Sequence, residues 1–376
     1  MNLLITGDFC VSDSFRRESL FDSEIISLFA CADYRIVNLE APITIENKRN
    51  EIFKTGPHLY TTKNTTLPLL KKLKIDLVTL ANNHIMDYGQ TGLMDTLSAL
   101  KGAGIDAVGA GLNLHEATKP VVLKKDSIRM AILNFAENEW ACAKEGRPGA
   151  APLDIIENIK QIQEVKAISE FLIIIIHGGH EYYNFPSPGV QKRYRFLAEN
   201  GASVIIGHHS HCISGYEVHQ GVPIFYNLGN FVFTEPSPFE SWYTGLVLNL
   251  HIQCDRKLEW ELIPVTQSKK DFTLSLTKKD KTKLMRREVE DYCKIIADKS
   301  LLNQAWKEFL SDRRRHYMNI FSPISFINNK YIRLGMMRLG FDHCLLRKAQ
   351  LAQVLNNIRC ESHAEAAREI IEYFLE

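Results

Sequence analysis

The sequence predicts an α/β domain built on a largely parallel sheet. Three observations predict it: short apolar runs that stop abruptly in polar clusters, helical periodicities between those runs, and His, Asn and carboxylate residues gathered where the runs end.

In chain order, Leu3-Leu4-Ile5-Thr6 runs into Gly7-Asp8, and Tyr34-Arg35-Ile36-Val37 into Asn38-Leu39-Glu40. The pattern recurs at Leu77-Val78-Thr79-Leu80 before Asn82-Asn83-His84, at Leu172 to Ile176 before His177, and at Val204-Ile205-Ile206 before Gly207-His208-His209. Such runs read as strands buried on both faces. Leu93, Leu97 and Leu100 between Gly89 and Gly102, and Val190, Tyr194 and Leu197 ahead of Asn200-Gly201, keep helical spacing. Alternating strand and helix implies right-handed crossovers and parallel strands, whose carboxyl ends collect ligand groups. Beyond residue 211, Tyr216 to His219 and Ile224 to Asn227 flank Gln220-Gly221, and Leu246 to Ile252 and Leu258 to Val265 flank Asp255-Arg256, as antiparallel hairpins do. At about residue 268 the composition shifts to the charged stretch Lys278 to Arg287 and then to helix-like segments ending in Ala364 to Leu375. The expected division is a domain over 1–268 and a mostly helical region over 269–376.

Composition narrows the function classes. Lys+Arg total 45 against 44 for Asp+Glu, so no global field points to nucleic acid or a polyanion as the main partner. The eight cysteines, Cys10, Cys31, Cys142, Cys212, Cys254, Cys293, Cys344 and Cys360, form no Cys-x-x-Cys pair and fit a reducing compartment. The first strand follows Met1 directly and no run of about 18 apolar residues occurs, so a cytoplasmic protein without a transmembrane segment is expected. No Walker-type loop is present, and Gly102, Gly104, Gly109 and Gly111 lack dinucleotide-loop spacing.

Five of the 13 histidines (His177, His180, His208, His209 and His211) fall in one short stretch. Imidazole and carboxylate ligands without a thiolate set suit zinc, manganese or iron(II) in a catalytic site. Gly7 allows close approach of a metal or phosphate to the backbone beside Asp8. Glu40 supplies a second carboxylate able to bridge two cations. Asn83 offers an amide oxygen and His84 an imidazole able to protonate a leaving group, with Asp87 placed to orient it; Asn82 or Asn83 also serves turn geometry. Gln191 and Arg193 reach toward an anionic substrate or lie on a solvated helix face. Lys278, Lys279, Lys281, Lys283, Arg286, Arg287 and Arg313-Arg314-Arg315 read as solvated helix faces. Tyr331 to Leu346 reads as a helix packing on the main domain, with docking or membrane-surface contact as alternatives.

Over about its first 265 residues the chain resembles the CapA-type family of bacterial capsule and poly-γ-glutamate biosynthesis proteins, within the calcineurin-like metallophosphatase superfamily. The likeness rests on Gly7-Asp8, Asn38-Leu39-Glu40, Lys54-Thr55-Gly56-Pro57, Leu80-Ala81-Asn82-Asn83-His84 with Asp87-Tyr88-Gly89, His177 with Glu181-Tyr182, Gly207-His208-His209-Ser210-His211, and Leu228-Gly229-Asn230-Phe231. It implies a four-layer sandwich, two sheets flanked by helices, here with a C-terminal helical extension. It also implies a site for one or two divalent ions, manganese, zinc or iron, held by Asp8, Glu40, Asn83, His177, His209 and His211. His84, oriented by Asp87, is implied as the acid, and Asn38, Glu181 and Arg193 as substrate contacts.

Three departures stand out. Cys10 occupies a place where the superfamily usually has His, Glu40 one where phosphatases carry Asp, and Gly178-Gly179-His180 follows His177 without the common Trp. Cys10 and His180 are therefore possible extra ligands, and His208 an alternative to His209. The implied function is metal-dependent hydrolysis, first of a phosphoester, on a phosphorylated or anionic polymer-related substrate alongside capsule or polymer biosynthesis proteins. A γ-glutamyl or peptide amide is the next substrate class, and a non-catalytic scaffold is the reading from another class.

Overall fold

The computed structural model describes all residues except 13–14, 16–19, 46, 55, 126–127, 254–256, 321–326 and 342–376, and for 313–320 it describes the backbone alone. Thr55, Cys254, the Asp255-Arg256 turn, Cys344, Cys360, Ala364 to Leu375, the end of Tyr331 to Leu346 and the Arg313 to Arg315 side chains therefore lie outside the described residues. The chain forms two compact units, Met1–Gln304 and Ala305–Glu376.

The first unit holds two large sheets and a two-stranded one. Sheet one comprises β1 (Asn2–Cys10), β2 (Tyr34–Leu39), β3 (Leu77–Thr79), β4 (Asp106–Val108), β13 (Asn230–Phe233), β14 (Thr244–Ile252), β15 (Leu258–Gln267) and β16 (Leu274–Leu276). Its order is β16-β15-β14-β1-β2-β3-β4, with β13 also on β1. Sheet two comprises β6 (Val121–Lys125), β7 (Ile128–Ala136), β9 (Phe171–His177), β10 (Val204–His208), β11 (Tyr216–His219) and β12 (Val222–Phe225), ordered β11-β12-β10-β9-β7-β6. The small sheet pairs β5 (Ala110–Gly111) with β8 (Gly149–Ala150). The helices of this unit are α1 (Ser23–Ala30), α2 (Lys63–Lys72), α3 (Gly89–Ala103), α4 (Leu114–Ala117), α5 (Ile155–Lys166), α6 (Pro188–Glu199) and α7 (Lys279–Ala297).

Residues from both faces of the strands separate into layers. Leu3, Ile5, Ile36, Leu77, Leu246 and Leu248 of sheet one meet Met130, Ile132, Ile173, Ile175 and Ile206 of sheet two in a shared core. Their neighbours Leu4, Val37 and Val78 turn the other way, onto Ile25 and Phe29 of α1, Leu69 and Leu70 of α2 and Leu93 and Leu100 of α3. On the far side Leu172, Ile174 and Ile176 meet Ile162 and Val165 of α5 and Val190, Tyr194 and Leu197 of α6. This is a four-layer α/β sandwich, two sheets flanked by helices. The parallel pairs β1-β2, β2-β3, β3-β4, β7-β9, β9-β10 and β10-β12 put their carboxyl ends on one rim. Instead of one largely parallel sheet there are two mixed ones.

Local chemistry sets the ends. Ser187 caps α6 by accepting from Val190 N at 3.1 Å, with Pro188 in the first turn. α3 stops at Gly104, whose φ of 72° is left-handed. The Gln220-Gly221 turn has φ of 49° and 85°, the hand that fits a tight hairpin. The charged stretch after residue 277 forms the amphipathic α7, which buries Met285, Val289 and Ile296 and exposes its lysines. Gln191 Nε2 donates to Ile296 O at 2.9 Å, so this residue joins α6 to the end of α7.

α8 (Lys299–Ile320) crosses the division between the units, and α9 (Lys330–Arg338) is capped by Asn329, whose Oδ1 accepts from Tyr331 N at 2.9 Å. Tyr331, Ile332 and Leu334 are exposed. No helix among the described residues is long and apolar enough to cross a membrane.

Candidate metal centre

The carboxyl ends of β1, β2 and β3 meet those of β9 and β10 on the rim. Asp8, on β1, and Glu40, just past β2, are fully buried. Their positions are fixed through the backbone: Asp8 N donates to Gly229 O, and Glu40 N to Phe9 O, each at 3.1 Å. Asn38 Nδ2 donates to Asp8 Oδ1 at 2.7 Å, while Asn38 Oδ1 accepts from Thr79 Oγ1 at 3.2 Å. Fully buried and with both ends of its amide committed, Asn38 braces the Asp8 carboxylate.

Two groups of donor atoms share Glu40. In one, Asp8, Glu40 and His211 bring ligand atoms within 4.8 Å of one another. His211 Nδ1 lies 2.9 Å from Asn230 Oδ1, so it donates there and leaves Nε2 facing Glu40 Oε1 at 3.6 Å. In the other, His177 Nε2 lies 3.0 Å from Asn83 Oδ1, 3.1 Å from His209 Nδ1 and 3.9 Å from Glu40 Oε1. The loop after β10 is strained: His209 and His211 have φ of 100° and 54°. Left-handed backbone at bulky residues costs energy and is concentrated at functional sites.

The donors fit a divalent ion. Neither oxygen of Glu40 has a hydrogen-bond partner, an expensive state for a buried carboxylate unless a cation compensates it. Burial, then Asp8, pushes its pKa well above the ordinary carboxylate range. Burial holds His177 well below the usual imidazole value, helped by His209 and the other surrounding imidazoles, and lowers His209 to about 3. These rings are therefore neutral and offer lone pairs. Bonds of about 2.1 Å meeting at right angles put neighbouring ligand atoms about 3 Å apart, the spacing seen around His177 Nε2.

His84 lies beside this cluster. Its Nδ1 is 2.7 Å from Asp87 Oδ2 and 3.1 Å from Lys54 Nζ. Lys54 ion-pairs with Asp87 Oδ1, and Leu59 N donates to Asp87 Oδ2 at 2.7 Å. The shorter contact, to the Asp87 carboxylate, fixes the proton on Nδ1 of His84, leaving Nε2 as the exchangeable position. Burial lowers the pKa of His84 and Asp87 opposes it. Asn82 takes the turn role: its Oδ1 accepts from His84 N at 3.0 Å and its Nδ2 donates to Leu39 O at 2.9 Å.

The remaining candidates separate. Of the histidines after Gly207, His209 brings its ring nitrogen to His177, whereas His208 ends β10 opposite His177 in the ladder. Cys10 lies in an apolar cluster with Ala41, Phe233, Trp242 and Tyr243, and burial, then Glu40, pushes its thiol well up. His180 and Arg193 line a neighbouring cavity of about 490 Å³ with Glu137, Asn138, Glu139, Leu153 and Ser187. Arg193 is ion-paired with Glu137, and Glu181 is exposed.

Sequence reasoning did not assign roles to Lys54, Asn230 or Glu139. The first two stand inside quoted motifs. Glu139 lies three residues past β7, a strand running into Glu137-Asn138-Glu139, a pattern like the one that marked the other candidate ligands. Gly7 answers a different need from the one expected. A Cβ there would lie 1.7 Å from Gly229 O, so backbone packing between two strands, not ligand approach, requires glycine.

A four-layer α/β sandwich with buried carboxylates, imidazoles and an amide converging at its strand ends defines a candidate metal-binding domain. By sequence, residues 3–235 match the bacterial capsule synthesis protein PGA_cap family, and the chain belongs to it. It is 35% identical over 211 residues to the PGA biosynthesis protein CapA of Bacillus subtilis, covering 55% of each chain. It is 34% identical to the capsule biosynthesis protein CapA of Bacillus anthracis, covering 54% of this chain and 51% of that one. The chain thus spans about half the length of these relatives. A phosphatase structure from Mycoplasma pneumoniae aligns with a TM-score of 0.42 and 12% identity, over 71% of this chain and 93% of that one.

Proposed function

We propose that this protein is a metal-dependent hydrolase, of a phosphoester before other substrates, serving synthesis of a capsule or poly-γ-glutamate-like surface polymer. The observation that carries the reading is Glu40: a fully buried carboxylate with no hydrogen-bond partner, between imidazole nitrogens at 3.6 and 3.9 Å. Asp8, Glu40 and His211 would hold one divalent ion, and Glu40, Asn83, His177 and His209 a second; manganese, zinc and iron(II) all suit this donor set. Bound there, such ions supply positive charge to a phosphoryl oxygen and acidify a water.

The protein's own residues do the rest. Asp87 holds the proton on Nδ1 of His84 and Lys54 fixes the pair, so Nε2 would first take up a proton, such as the one released by the attacking water, and then pass it to the departing oxygen. Asn38 and Asn230 keep Asp8 and His211 aimed inward. The cavity lined by Glu139, His180 and Arg193 offers room for the non-reacting part of the substrate. The scattered cysteines support a cytoplasmic place of action.

Cys10 favours a second reading, because a neutral thiol in an apolar cluster adds no ligand to Asp8, Glu40 and His211. In that reading the pocket binds polymer or a partner protein without turnover. Elemental analysis of protein purified without chelator, joined to a hydrolysis screen over phosphoesters and γ-glutamyl amides, separates them. The enzyme reading expects at least about one equivalent of transition metal and an activity lost in both His177→Ala and Asn83→Ala. Less than about half an equivalent, with no activity restored by manganese or zinc, overturns it in favour of the binding protein.

A further inference from the structure

We propose that Glu139 is a positioning residue of this centre, fixing from one carboxylate the ligand-ready orientation of both Asn83 and His209. The inference rests on the metal-binding reading above. An amide ligand must present oxygen to a cation, and an imidazole must present a nitrogen without a proton. Which atom faces inward is decided by what the outer atom meets.

Glu139 meets both outer atoms. Asn83 Oδ1 faces His177 Nε2 at 3.0 Å, which turns the NH2 end of the amide away from the cluster, and Asn83 acts on Glu139 as a hydrogen-bond donor opposing the rise that burial gives its pKa. Glu139 Oε1 also lies 3.8 Å from His209 Nε2, while His209 Nδ1 faces His177 Nε2 at 3.1 Å. A carboxylate at that distance favours the proton on Nε2 and leaves the lone pair on Nδ1, toward the cluster.

The segment carrying Glu139 is held by the same rim. β7 lies beside β9 with Ala136 opposite His177. Glu137 N donates to His177 O at 3.0 Å, Glu139 N to Glu137 O at 2.9 Å, and Gly179 N to Glu137 Oε2 at 3.2 Å. Glu139 is thus delivered by the strand next to the one that delivers His177.

The test uses the full chain and needs no substrate. In the metal-free protein, nitrogen-15 spectra of the histidine side chains read the His209 tautomer, and calorimetry with manganese reads the weaker of two binding steps. Wild type is expected to carry the His209 proton on Nε2. Glu139→Ala is expected to give a mixture of tautomers and about 10- to 100-fold weaker manganese binding. Glu139→Gln, whose amide oxygen still accepts, is expected to keep the Nε2–H form and lose less than about tenfold. An unchanged tautomer and manganese affinity within about twofold of wild type in Glu139→Ala overturn the proposal. Because the tautomer is read without metal or turnover, an inactive protein can still support this inference, and an active one can still refute it.

Discussion

A carboxylate held with neither water nor a hydrogen-bond donor, as Glu40 is, sits against its own chemistry until a cation arrives. Burial raises its folded-state pKa above the unfolded value of about 4.3. The folded state therefore binds the extra proton, and the cost of holding Glu40 grows as pH rises above that unfolded value. Glu40→Gln removes the cost. In chelator at pH 7.5 it should be more stable than wild type by about 1–3 kcal/mol, yet gain no further thermal stability from added manganese. Paired thermal melts with and without manganese check this; a variant that is less stable in chelator, or still stabilised by metal, would show that Glu40 is an ordinary structural carboxylate. At this scale the candidate ligands Asp8, Glu40, Asn83, His177 and His209 were legible because each follows a largely apolar run. Glu139 was not, because two further polar residues, Glu137 and Asn138, separate it from the end of its run, which also carries the buried Asn134, accepting from Ala81 N at 2.7 Å and donating to Ile175 O at 3.1 Å. Lys54 was hidden for a different reason: its counter-charge Asp87 is remote in sequence, and no local pattern announces a buried pair.

Elements reach the site through close backbone contacts as much as through side chains. β1 pairs with β14 as far as Thr6, then with β13 from Asp8 onward, and Gly7 stands at that changeover. With Gly229 O 1.7 Å from a Cβ on Gly7, one methyl group must push β1 and the Gly229 turn apart. Gly7→Ala is expected to cost about 3 kcal/mol or more, seen as a lower urea midpoint in chelator. Full stability with a selective loss of metal affinity would instead restore the idea that Gly7 clears space for a ligand. The strand ends and the first hairpin were readable from sequence because apolar runs and Gln220-Gly221 carry local signals. β13 and β16, four and three residues long, carry none and are placed by the partners they pair with.

For the first unit as a whole, the two-sheet layering was invisible in the residues and was supplied by the family resemblance. β9 shows why: Ile173 and Ile175 face the other sheet while Leu172, Ile174 and Ile176 face α5 and α6, so its faces differ in partner but not in polarity. The sandwich that results also sets the pH response. It buries His84, His177, His208 and His209 at lowered pKa, each chiefly by desolvation. In the unfolded chain these rings take up protons below about pH 6.5, while burial in the folded protein opposes their protonation, so the unfolded state binds more protons and stability drops as the pH drops. Glu40 acts in the opposite direction, one group against four. In chelator, stability should therefore fall from pH 7.5 to 5.5, each neutral imidazole contributing up to about 1.4 kcal/mol per pH unit once below 6.5. His209, lowered to about 3, stays neutral across this window, so His209→Gln should flatten the slope by nearly that amount. Urea denaturation across this pH range measures it. A stability that is level or rises on acidification would mean that the unit takes up protons in its folded state, and the neutral-imidazole account of the centre would fail.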